Sequence, residues 1–172
     1  DGGGLHRFKN GKFTVYTTKE GLFDDVAFTI LDDDNGFLWM SSNKGVYRVS
    51  KQQLNQLADG TAIAISCNSY GKSDGMGSSE CNGRRQPSAW KGKDGMMWFA
   101  TINGVSVVDP HNLKLNSLAP PIVIEKIRID DGPVKFVEGI DIKPGADRLE
   151  VHYAGLSFVA PAKMHFKYKL EG

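Results

Sequence analysis

The sequence predicts an all-β fold, a partial β-propeller followed by part of a β-sandwich, and three observations carry that expectation. A pattern occurs twice: Asn35-Gly36-Phe37-Leu38-Trp39 leading to Gly45-Val46-Tyr47, and Asp94-Gly95-Met96-Met97-Trp98 leading to Gly104-Val105-Ser106. Repetition of this kind marks supersecondary units that cannot bury an apolar face alone and so pack on their neighbours. Short runs rich in Val, Ile, Phe, Tyr and Thr are cut throughout by Gly, Asn and Asp, and only Lys51 to Ala58 could hold two helical turns. Beyond Pro120-Pro121 the pattern becomes strict alternation of apolar and polar residues, the signature of strands with one dry and one wet face.

A partial third copy opens the chain, where Gly4-Leu5-His6-Arg7-Phe8 aligns with Gly45-Val46-Tyr47-Arg48-Val49 and with Gly104-Val105-Ser106-Val107-Val108. The first two glycines of this set are 41 residues apart and the second two 59. The chain is therefore expected to start inside a repeat. One period accommodates four strands, at Val26 to Leu31, Phe37 to Ser41, Gly45 to Val49 and, from the preceding period, Phe13 to Thr17. Four short antiparallel strands in such a period match a propeller blade, whose repeats run about 40 to 45 residues. Asn10-Gly11, Asn35-Gly36 and Asp94-Gly95 are dipeptides that tolerate positive φ in two-residue hairpins.

The extra residues of the longer period fall at Lys51 to Ala58 and at Met76 to Arg85. Insertions of this sort map to loops on one rim of a propeller, which makes Met76 to Arg85 the expected contact surface. Trp39 and Trp98 occupy matching positions, so both are expected to be buried between blades. Trp90 matches Leu31, an apolar strand position. Its neighbourhood makes it, with Asn82, Arg84 and Arg85, a candidate for contact with a sugar or an anion. Gly36, Trp39, Gly45, Gly95, Trp98 and Gly104 are the structural marks of the blade repeat.

Three segments follow: 1–110 as blades, 111–121 as a proline-containing linker, and 122–172 as half of a sandwich. In the last, Ile127 and Ile129 alternate with Lys126, Arg128 and Asp130, Leu149, Val151 and Tyr153 with Glu150 and His152, and Phe166, Tyr168 and Leu170 with Lys167, Lys169 and Glu171. A sandwich of this type takes about 100 residues, so this one is expected to be cut in half.

Composition excludes several functions. Lys and Arg number 21 against 20 Asp and Glu with no stretch of one sign, so no footprint for nucleic acid or anionic lipid exists. Apolar runs such as Ile122-Val123-Ile124 fall far short of the roughly 20 residues a bilayer requires. No membrane contact is expected within this chain. Ser69-Tyr70-Gly71-Lys72 fits a Ser-x-x-Lys nucleophile, but Ser73-Asp74-Gly75 misses the partner motif and glycines oppose the helix it needs. Gly71-Lys72-Ser73 lacks the earlier glycine of a phosphate loop. Asp32-Asp33-Asp34-Asn35-Gly36, placed in calcium-loop register, puts Leu31 and Ser42 at ligand positions, so it reads as a solvated hairpin. His6, His111, His152 and His165 have no metal-ligand spacing. Neither catalytic residues nor a metal nor a cofactor is expected. Cys67 and Cys81 read as free apolar residues, with a disulfide as the alternative.

Gly21-Leu22-Phe23-Asp24-Asp25-Val26, Asn35 to Ser42 and Gly45-Val46-Tyr47-Arg48, followed by Asp74 to Asn82, Asp94 to Thr101 and Gly104 to Pro110, resemble the repeats of bacterial two-component regulator propellers. Pro120-Pro121-Ile122-Val123-Ile124 onward, to Phe166-Lys167-Tyr168-Lys169-Leu170-Glu171-Gly172, is similar to the start of the immunoglobulin-like three-tyrosine domain that follows the propeller there. Cys81 departs from the family, which usually has an aromatic residue at that position. The resemblance implies the periplasmic sensor part of an inner-membrane receptor, non-catalytic itself, binding a small molecule or oligosaccharide; several such receptors respond to glycans or their breakdown products. Two other readings stand beside it: a structural module that dimerises the receptor, and a fragment of a propeller enzyme acting on sugars. Because closure is what removes sheet edges from a propeller, blades that cannot close alone are expected to self-associate.

Overall fold

The computed structural model describes residues 2–84, 86–113, 120–130, 132–134, 142, 145, 147–156, 164, 166, 168 and 169. The chain divides into two units, Asp1–Lys114 and Leu115–Gly172. Both are built from antiparallel sheets, and the fold is all-β.

The first unit begins with a hairpin, β1 (Leu5–Lys9) and β2 (Lys12–Tyr16), closed by Asn10 and Gly11, both at positive φ as the turn requires. A four-stranded sheet follows in sequential order: β3 (Thr29–Asp32), β4 (Phe37–Ser42), β5 (Gly45–Ser50) and β6 (Cys67–Tyr70). Helix α1 (Lys51–Ala58) interrupts β5 and β6, capped by the Ser50 hydroxyl, and Tyr16 fastens it by donating its O–H to the Leu54 carbonyl at 2.8 Å. A three-stranded sheet completes the unit with β7 (Ala89–Lys91), β8 (Met97–Thr101) and β9 (Gly104–Val108).

These three sheets stack face on face through two apolar clusters. In the first, Leu5 and Tyr16 of the hairpin meet Met40, Tyr47 and Val49 of the middle sheet, with Leu54 of the helix closing one side. In the second, Trp39 and Val46 from the other face of the middle sheet meet Met97 and Phe99 of the third. Side-chain alternation along β4 explains the arrangement: Leu38 and Met40 point one way, Phe37 and Trp39 the other, and both faces are dry. Cys67 belongs to the first cluster and Cys81 to the second, so the middle sheet stands between them and both thiols are free. Burial pushes each thiol up to about 11.

Three sequence expectations are corrected here. The fourth strand of the middle sheet is Cys67–Tyr70, not the Phe13 to Thr17 strand of the preceding period, which pairs with β1 instead. Cys-Asn-Ser-Tyr has no apolar alternation to announce it; backbone pairing with β5 places it, with Cys67 and Tyr70 packing against the two clusters. The turns at Asn35-Gly36 and Asp94-Gly95 are four- and five-residue loops rather than two-residue hairpins. Asp33 donates its N–H to the Phe37 carbonyl and Gly92 donates to Met96, closing each loop one step wider than the dipeptide suggests. Trp98 is not buried like Trp39; it is 44% exposed where Trp39 is 0%.

In the second unit, β10 (Ile122–Ile129) pairs with β11 (Gly132–Val134) on one edge and β12 (Leu149–Gly155) on the other, with a register shift between Ile124 and Lys126. Ile124 faces Tyr153, Ile127 faces Val151 and Ile129 faces Leu149, which makes one face apolar as the alternation predicts. The Phe166 ring meets the Tyr153 ring edge-on at 4.9 Å. The strand expected over Phe166 to Glu171 falls largely outside the described residues.

Candidate functional site

The β4–β5 turn, the β8–β9 turn and the long connection from β6 to β7 converge at one end of the sheets. There a concave site of about 430 Å³ is lined by Val26, Phe28, Asn43, Asn82, Arg84 and Ile102, with Glu80 and Cys81 at its wall. The connection is held against the strand ends by backbone bonds. Cys81 donates its N–H to the Ser42 carbonyl at 3.1 Å, Asn82 to Ala100 at 2.8 Å, and Ile102 donates back to Glu80 at 3.0 Å. Gly83 lets this loop lie against the Phe28 ring: a Cβ there would stand 2.1 Å from a ring carbon, so any side chain would displace the loop or the ring.

The expected residues divide. Asn82 and Arg84 line the same cavity. Asn82 donates its side-chain N–H to the Thr101 carbonyl at 3.3 Å, so it pins the loop to β8 as well as facing the cavity. Arg84 is exposed, with no hydrogen-bond or ion partner among the described residues, and its guanidinium presents its donors to solvent. Arg85 lies outside the described residues. Trp90 does not belong to this site; it sits on β7, 64% exposed, paired across the sheet with Trp98. Its match to Leu31 holds in register, since Leu31 pairs with Trp39 in the same way, but the face it occupies is uncovered.

Glu80 falls within the expected Met76 to Arg85 surface, while Asn43 and Phe28 are site residues that the sequence did not single out. Asn43 follows the strand end at Ser42 in the turn before Gly45, whose φ is +143° and whose missing Cβ leaves room for the Tyr70 carbonyl, 2.3 Å from where a Cβ would be. Its position in a rim turn of the repeat was the available signal.

The acidic run is structural. The Asp33 carboxylate is 2% exposed and accepts from the Asn35 N–H at 2.8 Å, the Phe37 N–H at 2.9 Å and the Trp39 indole N–H at 3.1 Å. Asp32 binds Lys51 Nζ at 2.8 Å and Asp34 pairs with Lys91. The run is thus consumed by N–H donors and lysines. Among the described residues no three His, Cys, Asp or Glu side chains converge as a metal group. No histidine lines the cavity among the described residues; His111 stands against the Asn35 amide at 3.2 Å, His152 of the second unit beside Glu150 at 3.9 Å, and His165 is outside the described residues. The Ser69 motif lies on β6, followed by a single turn of 3-10 helix, Lys72–Asp74, too short to seat a nucleophile at a helix start.

The fold has a solved counterpart. The crystal structure of the extracellular domain of a protein assigned to the hybrid two-component systems of B. thetaiotaomicron matches 93% of this chain at 22% identity with a TM-score of 0.57. The match spans 22% of that longer chain, and at this identity it establishes a shared fold. No protein-family model and no curated protein matches the sequence. Among the described residues no helix is long and apolar enough to cross a membrane.

Proposed function

We propose that this chain is a ligand-sensing and signal-relay segment from the periplasmic part of a bacterial two-component-type receptor, made of two-component regulator propeller blades and the start of a three-tyrosine immunoglobulin-like domain, and not itself catalytic. The observation that carries the reading is the fold shared over 93% of the chain with the extracellular domain of a hybrid two-component protein. The repeat order and the rim cavity support it independently.

The cavity's chemistry favours a hydroxyl-rich ligand. Arg84, Asn43, Asn82 and Glu80 offer both donors and acceptors, while Val26, Phe28 and Ile102 offer apolar surface, the combination that receives a sugar ring by its hydroxyls and its C–H face. Signalling then requires that the ligand bind one arrangement of the receptor better than another, since only differential affinity moves an equilibrium.

Calorimetric titration of the 172-residue chain with a panel of neutral and uronic-acid oligosaccharides tests this. Saturable heat with at least one of them, weakened about tenfold or more in Arg84→Ala, is expected. Titrations without saturable heat across the panel would leave the interaction-module reading in its place, which the uncovered apolar sheet faces of the first unit favour.

A further inference from the structure

Within the first unit, every sheet-to-sheet contact joins the same two kinds of face. The hairpin presents Leu5 and Tyr16 to the side of the middle sheet that carries Met40 and Tyr47. The middle sheet presents Trp39 and Val46 to the side of the third sheet that carries Met97 and Phe99. By repeat alignment Leu5 matches Val46, and Met97 and Phe99 match Leu38 and Met40. The unit therefore has a leading face and a trailing face, and leading packs on trailing in both interfaces.

One face of each kind is left uncovered. On the third sheet the leading face carries Trp90, Trp98 and Val107 in one cross-strand row, with Val105 opposite Ala100 in the next. Trp90, Trp98, Val105 and Val107 are 64, 44, 61 and 42% exposed. Leu31, Trp39 and Arg48 form the equivalent row of the middle sheet, and Trp39 there is wholly buried. On the hairpin the trailing face carries Phe8 and Phe13, directly opposite each other with ring centroids 4.7 Å apart, and Val15. These are 63, 65 and 42% exposed. Isolated exposed apolar residues are ordinary, but a row of two indoles and two valines on one sheet face, and a second cluster of two phenylalanines and a valine, are contiguous patches of the kind that mark interfaces.

We infer that the occupant of the Trp98 face is the Phe8–Phe13 face of a second copy of this chain, packed head to tail by the same leading-on-trailing contact that the molecule already makes twice. The argument is continuity. The two uncovered surfaces are complementary halves of one repeated interface, and a single chain carries both. Such a contact is heterologous, so it leaves a free face at each end of a pair and propagates, closing only if the rotation per copy allows a ring.

Sedimentation equilibrium on the 172-residue chain and two variants tests this. The wild type should show a weight-average mass that climbs past the dimer value as concentration rises. Trp98→Glu and the double variant Phe8→Glu/Phe13→Glu each lose one face and should stay monomeric alone. Mixed at equal concentration they should form a heterodimer and nothing larger, because each supplies the face the other lacks. A wild type that stays monomeric overturns the inference, and so does a Phe8→Glu/Phe13→Glu variant that still dimerises, which would indicate a symmetric contact between two Trp98 faces. Circular dichroism checks that each variant keeps its fold, and Val105→Glu, at a more exposed site on the same face, replaces Trp98→Glu if the latter does not. None of these substitutions touches the rim cavity, so a failure here leaves the ligand-sensing reading standing.

Discussion

Trp39 and Trp98 sit at the same position of the same repeat, yet one is wholly buried and the other nearly half exposed. Two physical differences separate them. Trp39 has a neighbouring sheet over its face and stacks on Tyr70 at 5.4 Å, while Trp98 lies beside Trp90 and the β9 valines on a face that leaves it 44% exposed. Trp39 also gives its indole N–H to Asp33, whereas the second repeat has Gly92 at the matching place, with no side chain to accept. A Cβ at Gly92 would stand 2.3 Å from Asp94 Oδ1, because Asp94 has taken over the loop by accepting from the Met96 N–H. Sequence periodicity therefore specifies where a side chain stands on a sheet; burial depends on what lies against that face.

The largest expected effect follows directly. Trp39→Ala removes a large, fully packed side chain from the second cluster and should cost about 3–5 kcal/mol in urea unfolding. Trp98→Ala removes a side chain with much less contact and should cost about 1 kcal/mol at concentrations where the chain is monomeric. Equal costs would mean that the two positions are equivalent in energy as well as in register. The difference between the variants should shrink as protein concentration rises, if self-association covers Trp98.

Next in size is the carboxylate under Trp39. Asp33→Ala strands the Phe37 N–H and the indole N–H in a dry place and should destabilise the chain by about 2–3 kcal/mol, since buried donors without acceptors cost about 1–3 kcal/mol each. Asp94→Ala in the second repeat gives up one exposed bond to Met96 and should cost about 0.5 kcal/mol. Unfolding midpoints of the two variants in one denaturant series measure the contrast. Similar losses from both would assign the stabilisation to the loop geometry rather than to the clasp on Trp39.

This clasp marks the limit of what the residues announce by themselves. The repeat spacing placed β4 and β5 to within a residue or two, and aligned the segments of β8 and β9 with them, because Gly, the aromatic and the apolar alternation all point the same way there. Local composition also singled out Lys51 to Ala58 as the one stretch able to hold two helical turns, and α1 forms there. Cys67–Tyr70 was invisible because its pairing is a matter of backbone on an outer edge, not of side-chain pattern. Asp33 looked like part of a solvated acidic run, since nothing in Asp-Asp-Asp says which of three neighbours turns inward. In the rim site, Asn82, Arg84 and, within the same insertion, Glu80 were legible from the length of the insertion, while Asn43 and Phe28 come from segments that only the folded turns bring together. Trp90 was drawn to the same site by proximity in sequence, and strand direction carries it to a different surface.

The smallest expected effect concerns charge at the two loops. In the first repeat, Lys51 hydrogen-bonds the Asp32 carboxylate and holds its pKa below the ordinary 3.8, while the same bond raises that of Lys51 above the ordinary 10.5. The sign differs on the two sides. Asp32's lowered value means that its contribution is present above pH 3.8 and is lost as pH falls through the folded-state value. Lys51's raised value means that its contribution is present below pH 10.5 and is lost as pH rises through the folded-state value. Both side chains are well exposed, so solvent screens the pair and the gain is small. Asp32→Asn should therefore lower the urea midpoint slightly between these limits, and the loss should fade once the pH is below the folded-state value of Asp32. A loss that persists undiminished at low pH would assign the effect to the shape of the loop rather than to the charge of the Asp32 carboxylate, which both Lys51 and the Asp34 N–H favour.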